Sequence, residues 1–183
     1  MKQGELIRKT ISTLKERLKK NNGILEIQCT EGFLIQVSCQ FNEPTKSDDL
    51  ICFQKALNIN LPIDYVQFLY LTNGCSLFNE VKTGGESLLY SIQNIVNEDY
   101  AELNSNFLTI GRIFQDDILI DLSRSKNGFD NYINIKSSID QFDDSIKLNM
   151  NFELWFDRFI VCQGDKFWDW PFYSAENYYR ISK

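Results

Sequence analysis

A stretch near the N-terminus alternates apolar and polar side chains with a period of two. Apolar residues occupy a series of odd positions, at Leu25, Ile27, Cys29, Phe33, Ile35, Val37, Cys39 and Phe41, and the even positions between them are mostly polar. Because successive side chains of a strand point to opposite faces, this pattern predicts two half-buried strands over 25–29 and 33–41. A three-residue connection would place Cys29 opposite Ile35, and both Cys29 and Cys39 would point into the core.

The first twenty residues show the period of an amphipathic helix. Apolar side chains recur every three or four positions, at Leu6, Ile7, Ile11, Leu14 and Leu18. Asn21-Asn22-Gly23 follows as a C-terminal stop signal. We expect the apolar side of this helix to dock on the rest of the chain and its charged side to face solvent.

Two more helices are predicted on either side of Pro62. Thr45-x-x-Asp48 resembles a capping box that starts the first helix. That helix should end before Leu61, because a residue that precedes proline is disfavoured in the α conformation. Pro62 suits the first turn of the second helix, where its missing N–H costs nothing, and Asn73-Gly74 ends that helix.

The remainder of the chain mixes short strands and helices. Strands are predicted at 75–78, 87–92, 107–110, 118–122 and 132–135, and helices at 92–100 and 151–164. Because strands and helices do not alternate regularly, as they do in a parallel doubly wound sheet, the pattern favours an α+β class. A length of 183 residues with 43% hydrophobic residues suits one domain, 1–183.

The composition excludes several kinds of catalytic and metal site. The chain has no histidine, so a Ser-His-Asp triad, a Cys-His dyad and an H-E-x-x-H zinc site cannot occur. Its five cysteines are odd in number and lack C-x-x-C spacing, which favours reduced thiols over disulfides or a zinc ribbon. Thr83-Gly84-Gly85 lacks the lysine of a phosphate-binding loop and is expected to be a turn. We therefore expect no cofactor.

The charge is distributed unevenly along the chain. Residues 1–20 contain seven Lys or Arg and two Asp or Glu, a balance of +5, whereas the whole chain has a net charge of −6. Residues 21–183 therefore carry a net charge of −11. This charge disfavours direct binding of nucleic acid and suits attraction of a basic partner. We found no signal-peptide pattern or apolar run long enough to span a membrane, so we expect a cytoplasmic protein without membrane contact. The oligomeric state stays open.

Two acidic clusters and one aromatic run are the candidate functional segments. Asp116, Asp117 and Asp121 would be the ligands of a metal-dependent hydrolase, but Asp117 and Asp121 should lie about 13 Å apart on one strand face, too far to share an ion. The second acidic cluster contains Asp143 and Asp144, and solvated or turn-forming carboxylates are expected in both clusters. The aromatic run 167–173 is expected to pack on the domain, with a partner-facing patch as the alternative.

Four motifs in order resemble the SMI1/KNR4 family of the SUKH superfamily. They consist of Leu61, Pro62, Tyr65, Phe68, Leu69, Asn73 and Gly74, then Ile110 and Gly111, then Asp117 and Asp121, and finally Phe152 and Trp155. The resemblance covers 44–164, with a helix-and-hairpin prefix over 1–42 and an aromatic C-terminal segment over 165–183. Asp116 departs from the pattern, since a glycine commonly precedes the aspartate. The resemblance implies an α+β domain with a mixed central β-sheet flanked by helices and no shared catalytic residues.

The resemblance also implies a function. Many bacterial members look like non-enzymatic immunity proteins that bind and neutralise a cognate polymorphic toxin, frequently a nuclease. The acidic body would suit a basic toxin, because complementary charge raises the association rate. We expect the partner to contact Glu80, Glu86, Asp116, Asp117, Asp143 and Asp144. A general protein-interaction scaffold, as in eukaryotic members linked to cell-wall regulation, is the alternative.

Overall fold

A computed structural model describes residues 2–29, 32–97 and 106–170 of the chain. In chain order the elements are α1 (Glu5–Lys20), β1 (Ile24–Gln28), β2 (Leu34–Phe41), α2 (Ser47–Leu57), α3 (Ile63–Leu71), β3 (Cys75–Glu80), β4 (Ser87–Leu89), α4 (Ile92–Asn97), β5 (Phe107–Ile113), β6 (Asp116–Asp121), α5 (Leu122–Lys126), β7 (Ile133–Ser137), β8 (Ile146–Lys147) and α6 (Phe152–Val161). Short 3-10 turns lie at Phe142–Asp144 and Phe167–Asp169. The α+β class is confirmed.

The eight strands form one sheet in the order in which they occur along the chain. Each strand pairs antiparallel with the next. The sheet is therefore antiparallel, and the expectation of a mixed sheet is wrong. Since neighbouring strands are consecutive, every connection reverses the chain direction. The described residues of the connections at 29 and 32–33, 81–86, 114–115 and 138–145 therefore lie at the same end of the sheet, which we call the hairpin end. Helices α2 to α5 lie in the connections at the opposite end.

The first hairpin has the predicted faces but not the predicted register. Ile27, not Cys29, lies opposite Ile35. The shift of two residues arises because the hairpin closes one residue earlier than expected: the backbone N–H of Cys29 donates to the carbonyl of Phe33 at 2.8 Å. Phe33 consequently leaves the strand and is 65% exposed. An even shift keeps the apolar face inward, and Cys29 and Cys39 are half-buried against the core.

One face of the sheet is covered by helices α1, α3 and α6. Their apolar sides share a single hydrophobic cluster with the strands. At its centre Phe152 contacts Tyr65 and Phe68, with ring centroids 5.0 and 5.1 Å apart. Trp155 stacks on Phe159 in the same helix at 5.5 Å. The family-like aromatic motifs of α3 and α6 are thus core residues.

Helix α1 docks on its own chain, as the sequence predicts. Ile7, Ile11, Leu14 and Leu18 are buried. Its start is held by Glu153 of α6, whose carboxylate accepts the N–H of Gly4, the N-cap residue, at 2.9 Å. Burial raises the pKa of Glu153, and the Gly4 hydrogen bond only partly offsets this effect. The prefix is therefore anchored to the family-like core by a buried carboxylate.

Asp64 binds a backbone N–H at the start of α6, as Glu153 does at the start of α1. Its carboxylate is fully buried and accepts the N–H of Glu153 at 3.0 Å and the N–H of Tyr65 at 3.0 Å. The hydroxyl of Tyr132 also donates to Asp64. Since a helix N-terminus has unpaired N–H groups, a carboxylate placed there is stabilising.

Several element ends differ from the sequence predictions. The predicted capping box is wrong: α2 has Lys46 at its N-cap without a side-chain hydrogen bond. Thr45 is instead buried, and its N–H donates to the carbonyl of Leu69 at 2.9 Å. Helix α5 and strand β8 had no sequence signal. The predicted helix over 92–100 is present to Asn97, and 98–100 lie outside the described residues.

Candidate functional site

The hairpin end gathers the carboxylates that the sequence singled out. Glu80 ends β3, Glu86 precedes β4, Asp116 begins β6, and Asp143 and Asp144 lie in the 3-10 turn before β8. Glu86, Asp143 and Asp144 are exposed, whereas Glu80 and Asp116 are half-buried. Residues from distant segments thus share one side of the molecule because every second connection of an antiparallel sheet returns to the same end.

Backbone hydrogen bonds join neighbouring turns at this end. The N–H of Phe114, in the β5–β6 turn, donates to the carbonyl of Glu86 at 3.0 Å. On the other side, the carbonyl of Gln115 accepts the N–H of Ser138 at 2.8 Å. The ladder of the sheet therefore continues into its turns and fixes their relative positions.

Asp117 was expected on the partner surface, but this prediction is wrong. The residue is only 5% exposed. The carboxylate lies 2.7 Å from Nε of Arg112 and 3.2 Å from Nζ of Lys136. Asp117 points to the outer face, away from the helices, and its charge is satisfied within that face, so a partner does not reach it without unfolding.

Lys136 ties the loop 138–145 to the outer face. Its Nζ donates to the carbonyls of Ser137 and Asp140, both at 3.1 Å. The same atom lies 5.3 Å from the ring centroid of Phe142, which stacks on Phe107 at 6.0 Å. This loop carries Asp143 and Asp144, so the buried lysine supports the exposed acidic turn.

Asp116 holds the chain that follows α6. Its carboxylate accepts hydrogen bonds from Lys166 Nζ at 2.9 Å and Trp168 Nε1 at 2.8 Å. Burial lowers the pKa of Lys166, but the hydrogen bond and charge of Asp116, with Asp169, outweigh it and raise the pKa overall. The expected aromatic packing is seen for Phe167 and Trp168, which lie against the core. Residues 171–173 of the predicted run lie outside the described residues.

The three carboxylates of the metal alternative have separate roles. Asp116 and Asp117 point to opposite faces of β6, as neighbours in a strand must. Asp121 instead caps α5 by accepting the N–H of Arg124 at 2.9 Å. Within the described ranges, no group of three or more Cys, Asp or Glu residues is arranged to hold a metal ion. The geometry gives a metal-dependent hydrolase no support.

Four of the five thiols are at least partly buried, whereas Cys52 is exposed. Burial raises the pKa of Cys29, Cys39, Cys75 and Cys162. A raised pKa keeps a thiol protonated and therefore unreactive at neutral pH.

In the part of the chain that the structure describes, no helix has the length and apolar character needed to cross a membrane.

Exposed apolar side chains accompany the carboxylates, and of these the sequence analysis considered only Trp170 for a partner-facing patch, as part of the aromatic run. Those in the turns and strand ends of the hairpin end, or next to it, are Phe33, Leu34, Val81, Phe114, Ile139, Ile146 and Trp170. Ile139 is 88% exposed. Apolar periodicity identifies buried faces and gives no signal for an apolar residue in a turn. A group of exposed large apolar residues is typical of an interaction surface.

Comparisons with known proteins add a family and two relatives. The model of the SMI1/KNR4 family (SUKH-1) matches residues 44–158. The Bacillus subtilis (strain 168) protein YobM is 33% identical over 184 residues, which cover 95% of this chain and 97% of YobM. YnaB of the same organism is 29% identical over 130 residues, 70% of this chain and 85% of YnaB. Both relatives are described only as uncharacterized, and most of the prefix has a counterpart in YobM.

Proposed function

The chain belongs to the SMI1/KNR4 family (SUKH-1), and on this premise we propose that it is a non-enzymatic immunity protein that neutralises a cognate toxin in the bacterial cytoplasm. The toxin is a basic protein, and a nuclease fits best. Neutralisation is by binding, which agrees with the finding that no three Cys, Asp or Glu side chains of the described residues are arranged to hold a metal ion.

The acidic character of the hairpin end carries this proposal. Glu86 reaches solvent there from one turn, and Asp143 and Asp144 reach it from another. Of the lysines at this end, Lys136 and Lys166 are paired with aspartates, so their charges are offset within the protein, whereas Lys82 is exposed in the same turn as Glu86. The resulting negative field would attract a basic surface and speed its association.

A nuclease is the toxin class that best matches such a surface. Its substrate cleft must be positively charged, because affinity for nucleic acid comes largely from neutralising phosphates. Carboxylates held on several turns can occupy the positions that phosphates would take. Binding of the hairpin end over the cleft would then exclude the substrate without any chemistry.

Co-expression with the toxin domain encoded beside this gene tests the proposal. We expect the wild-type protein to restore growth and to copurify with the toxin. The triple variant Glu86→Lys/Asp143→Lys/Asp144→Lys should lose protection. A matched control, Glu16→Lys/Asp48→Lys/Asp49→Lys, reverses three exposed carboxylates of α1 and α2 and should retain it.

Two results would reject the proposal. The first is a neighbouring toxin domain that the wild-type protein neither binds nor blocks. The second is equal protection by the two triple variants, which would remove the hairpin end from the interaction. Recovery of many partners and no toxin would favour the scaffold alternative.

A further inference from the structure

The turn between β5 and β6 contains a residue that its geometry disfavours. Ile113 pairs with Asp116, so the turn consists of only Phe114 and Gln115. Phe114 has a φ of +53°. Two-residue hairpins need a positive φ at their first central position, and glycine or asparagine supplies it with least strain. A bulky aromatic residue at such a position is uncommon.

Phe78 shows what normally offsets this strain. It has a nearly identical φ of +52°, but it is only 8% exposed and its ring packs against Phe159 at 6.0 Å. Phe114 is 46% exposed. Burial in the folded monomer therefore compensates for much less of the backbone strain at Phe114 than at Phe78. Strained residues that persist in this way concentrate at functional sites.

The backbone around Phe114 is fixed from both sides. Its N–H is bonded to Glu86, and the carbonyl of Gln115 is bonded to Ser138. The exposed ring is thus presented by a rigid turn in the middle of the hairpin end. A backbone held in place before binding loses little freedom on association, which favours affinity.

The neighbouring turns surround Phe114 with the composition of an interface. Val81 and Ile139 are 49% and 88% exposed. They belong to the turns on either side: Val81 follows β3 and Phe114 follows β5, two strands or about 10 Å apart at about 4.8 Å per strand. Glu86 and Asp140 are exposed on the same two turns. An apolar centre with a charged rim is the arrangement in which aromatic anchors contribute most of the binding energy.

We propose that Phe114 is the anchor residue of the hairpin end and that its partner is a basic protein surface with an apolar pocket for the ring. This inference rests on the proposed function and adds to it a specific contact. The carboxylates govern how fast the partner arrives, and Phe114 governs how slowly it leaves.

The test measures binding of the purified toxin domain from the neighbouring gene to Phe114→Asn and Phe114→Gly. Both variants should dissociate about 30-fold faster, the effect of losing one hot-spot side chain. Their melting temperatures should equal or exceed that of the wild type, because both residues tolerate positive φ. Phe129→Asn is the control: Phe129 is 51% exposed but lies at the opposite end of the sheet, so dissociation should stay within about twofold.

Other outcomes overturn the inference separately from the proposed function. If both Phe114 variants dissociate like the wild type while the hairpin-end triple variant associates slowly, the anchor is wrong and the immunity function stands. If both Phe114 variants melt well below the wild type, Phe114 is a structural residue. If the wild-type protein does not bind the toxin domain, the proposed function and the anchor both fail.

Discussion

The Nζ atom of Lys136 lies 3.2 Å from Oδ2 of Asp117, and each side chain is only 6% exposed. Arg112 completes the group on the other side of Asp117. These charges lie in a cross-strand row on the outer face of the sheet, beneath the loop that carries Asp143 and Asp144. The position of the exposed acidic turn therefore depends on the buried ion pair of Asp117 and Lys136.

Replacing Asp117 with asparagine should cost about 3 kcal/mol of unfolding free energy. The substitution leaves Lys136 buried without its counter-charge, and removing one partner of a buried pair typically costs about 3–5 kcal/mol. Urea unfolding of the wild type and the variant measures this loss. The double variant Asp117→Leu/Lys136→Met should lose less, because neither buried charge remains. A loss below about 1 kcal/mol for Asp117→Asn would show that the pair is unimportant.

Glu153 should make stability fall as the pH rises. Its pKa is raised in the folded protein, mainly by burial, with Asp64 adding to the effect. A raised pKa contributes stability that is complete below the unfolded value of about 4.3 and is lost as the pH rises through the folded value.

Glu153→Gln removes this titration, so its stability relative to the wild type should increase between about pH 4 and about pH 7. Chemical unfolding of both proteins across that range is the measurement. Glu16→Gln changes an exposed glutamate of α1 and serves as the control, which should show a constant difference. A constant difference for Glu153→Gln as well would contradict the assignment.

Gly111→Ala should destabilise the sheet by at least about 2 kcal/mol. A Cβ at this position would lie 2.5 Å from the backbone oxygen of Leu88 and 3.0 Å from Cα of Leu89. Backbone atoms of a paired strand cannot move aside without breaking β4–β5 hydrogen bonds. Thermal unfolding is the readout.

Gly84→Ala separates this clash from backbone strain. Gly84 has a φ of +81° with nothing within 4 Å of an added Cβ, so the strain alone should cost about 1 kcal/mol. Equal losses at the two glycines would mean that close approach of β4 is not what requires glycine at 111.

Ile11→Ala tests whether the prefix is part of the folded core. Ile11 is 2% exposed within the cluster that joins α1 to α3 and α6. Truncating a buried isoleucine to alanine typically costs about 2–5 kcal/mol, measured here by urea unfolding. The neighbouring Ser12 is exposed, and Ser12→Ala should change stability by less than about 0.5 kcal/mol. A neutral Ile11→Ala would mean that α1 is dispensable for stability.

The first hairpin shows how far periodicity predicts structure. Alternation over 25–41 identified the buried face correctly, because burial requires a period of two. It could not give the position of the turn, so the predicted register is displaced by two residues. Ile27 opposite Ile35 is as compatible with an inward apolar face as Cys29 would be.

Asp116 and Asp117 show the corresponding limit at the candidate site. The sequence places them on opposite faces of a strand, but it does not say which face is covered. The outer face over Asp117 is closed by Phe142, 25 positions further along the chain. Because such long-range packing has no local signal, the sequence placed both residues at the surface. The sequence did not identify Phe114 for a similar reason. Its exposure follows from its place in the β5–β6 turn, which the sequence does not show.

The central claim is that the carboxylates of the hairpin end capture a basic toxin. Stopped-flow association of the toxin domain with the wild type and with Glu86→Lys/Asp143→Lys/Asp144→Lys tests it most directly. At about 0.01 M salt, where charges act over about 30 Å, the variant should associate at least about tenfold more slowly. At about 1 M salt, where that range is about 3 Å, the two rates should converge. Equal association rates at low salt would contradict the claim.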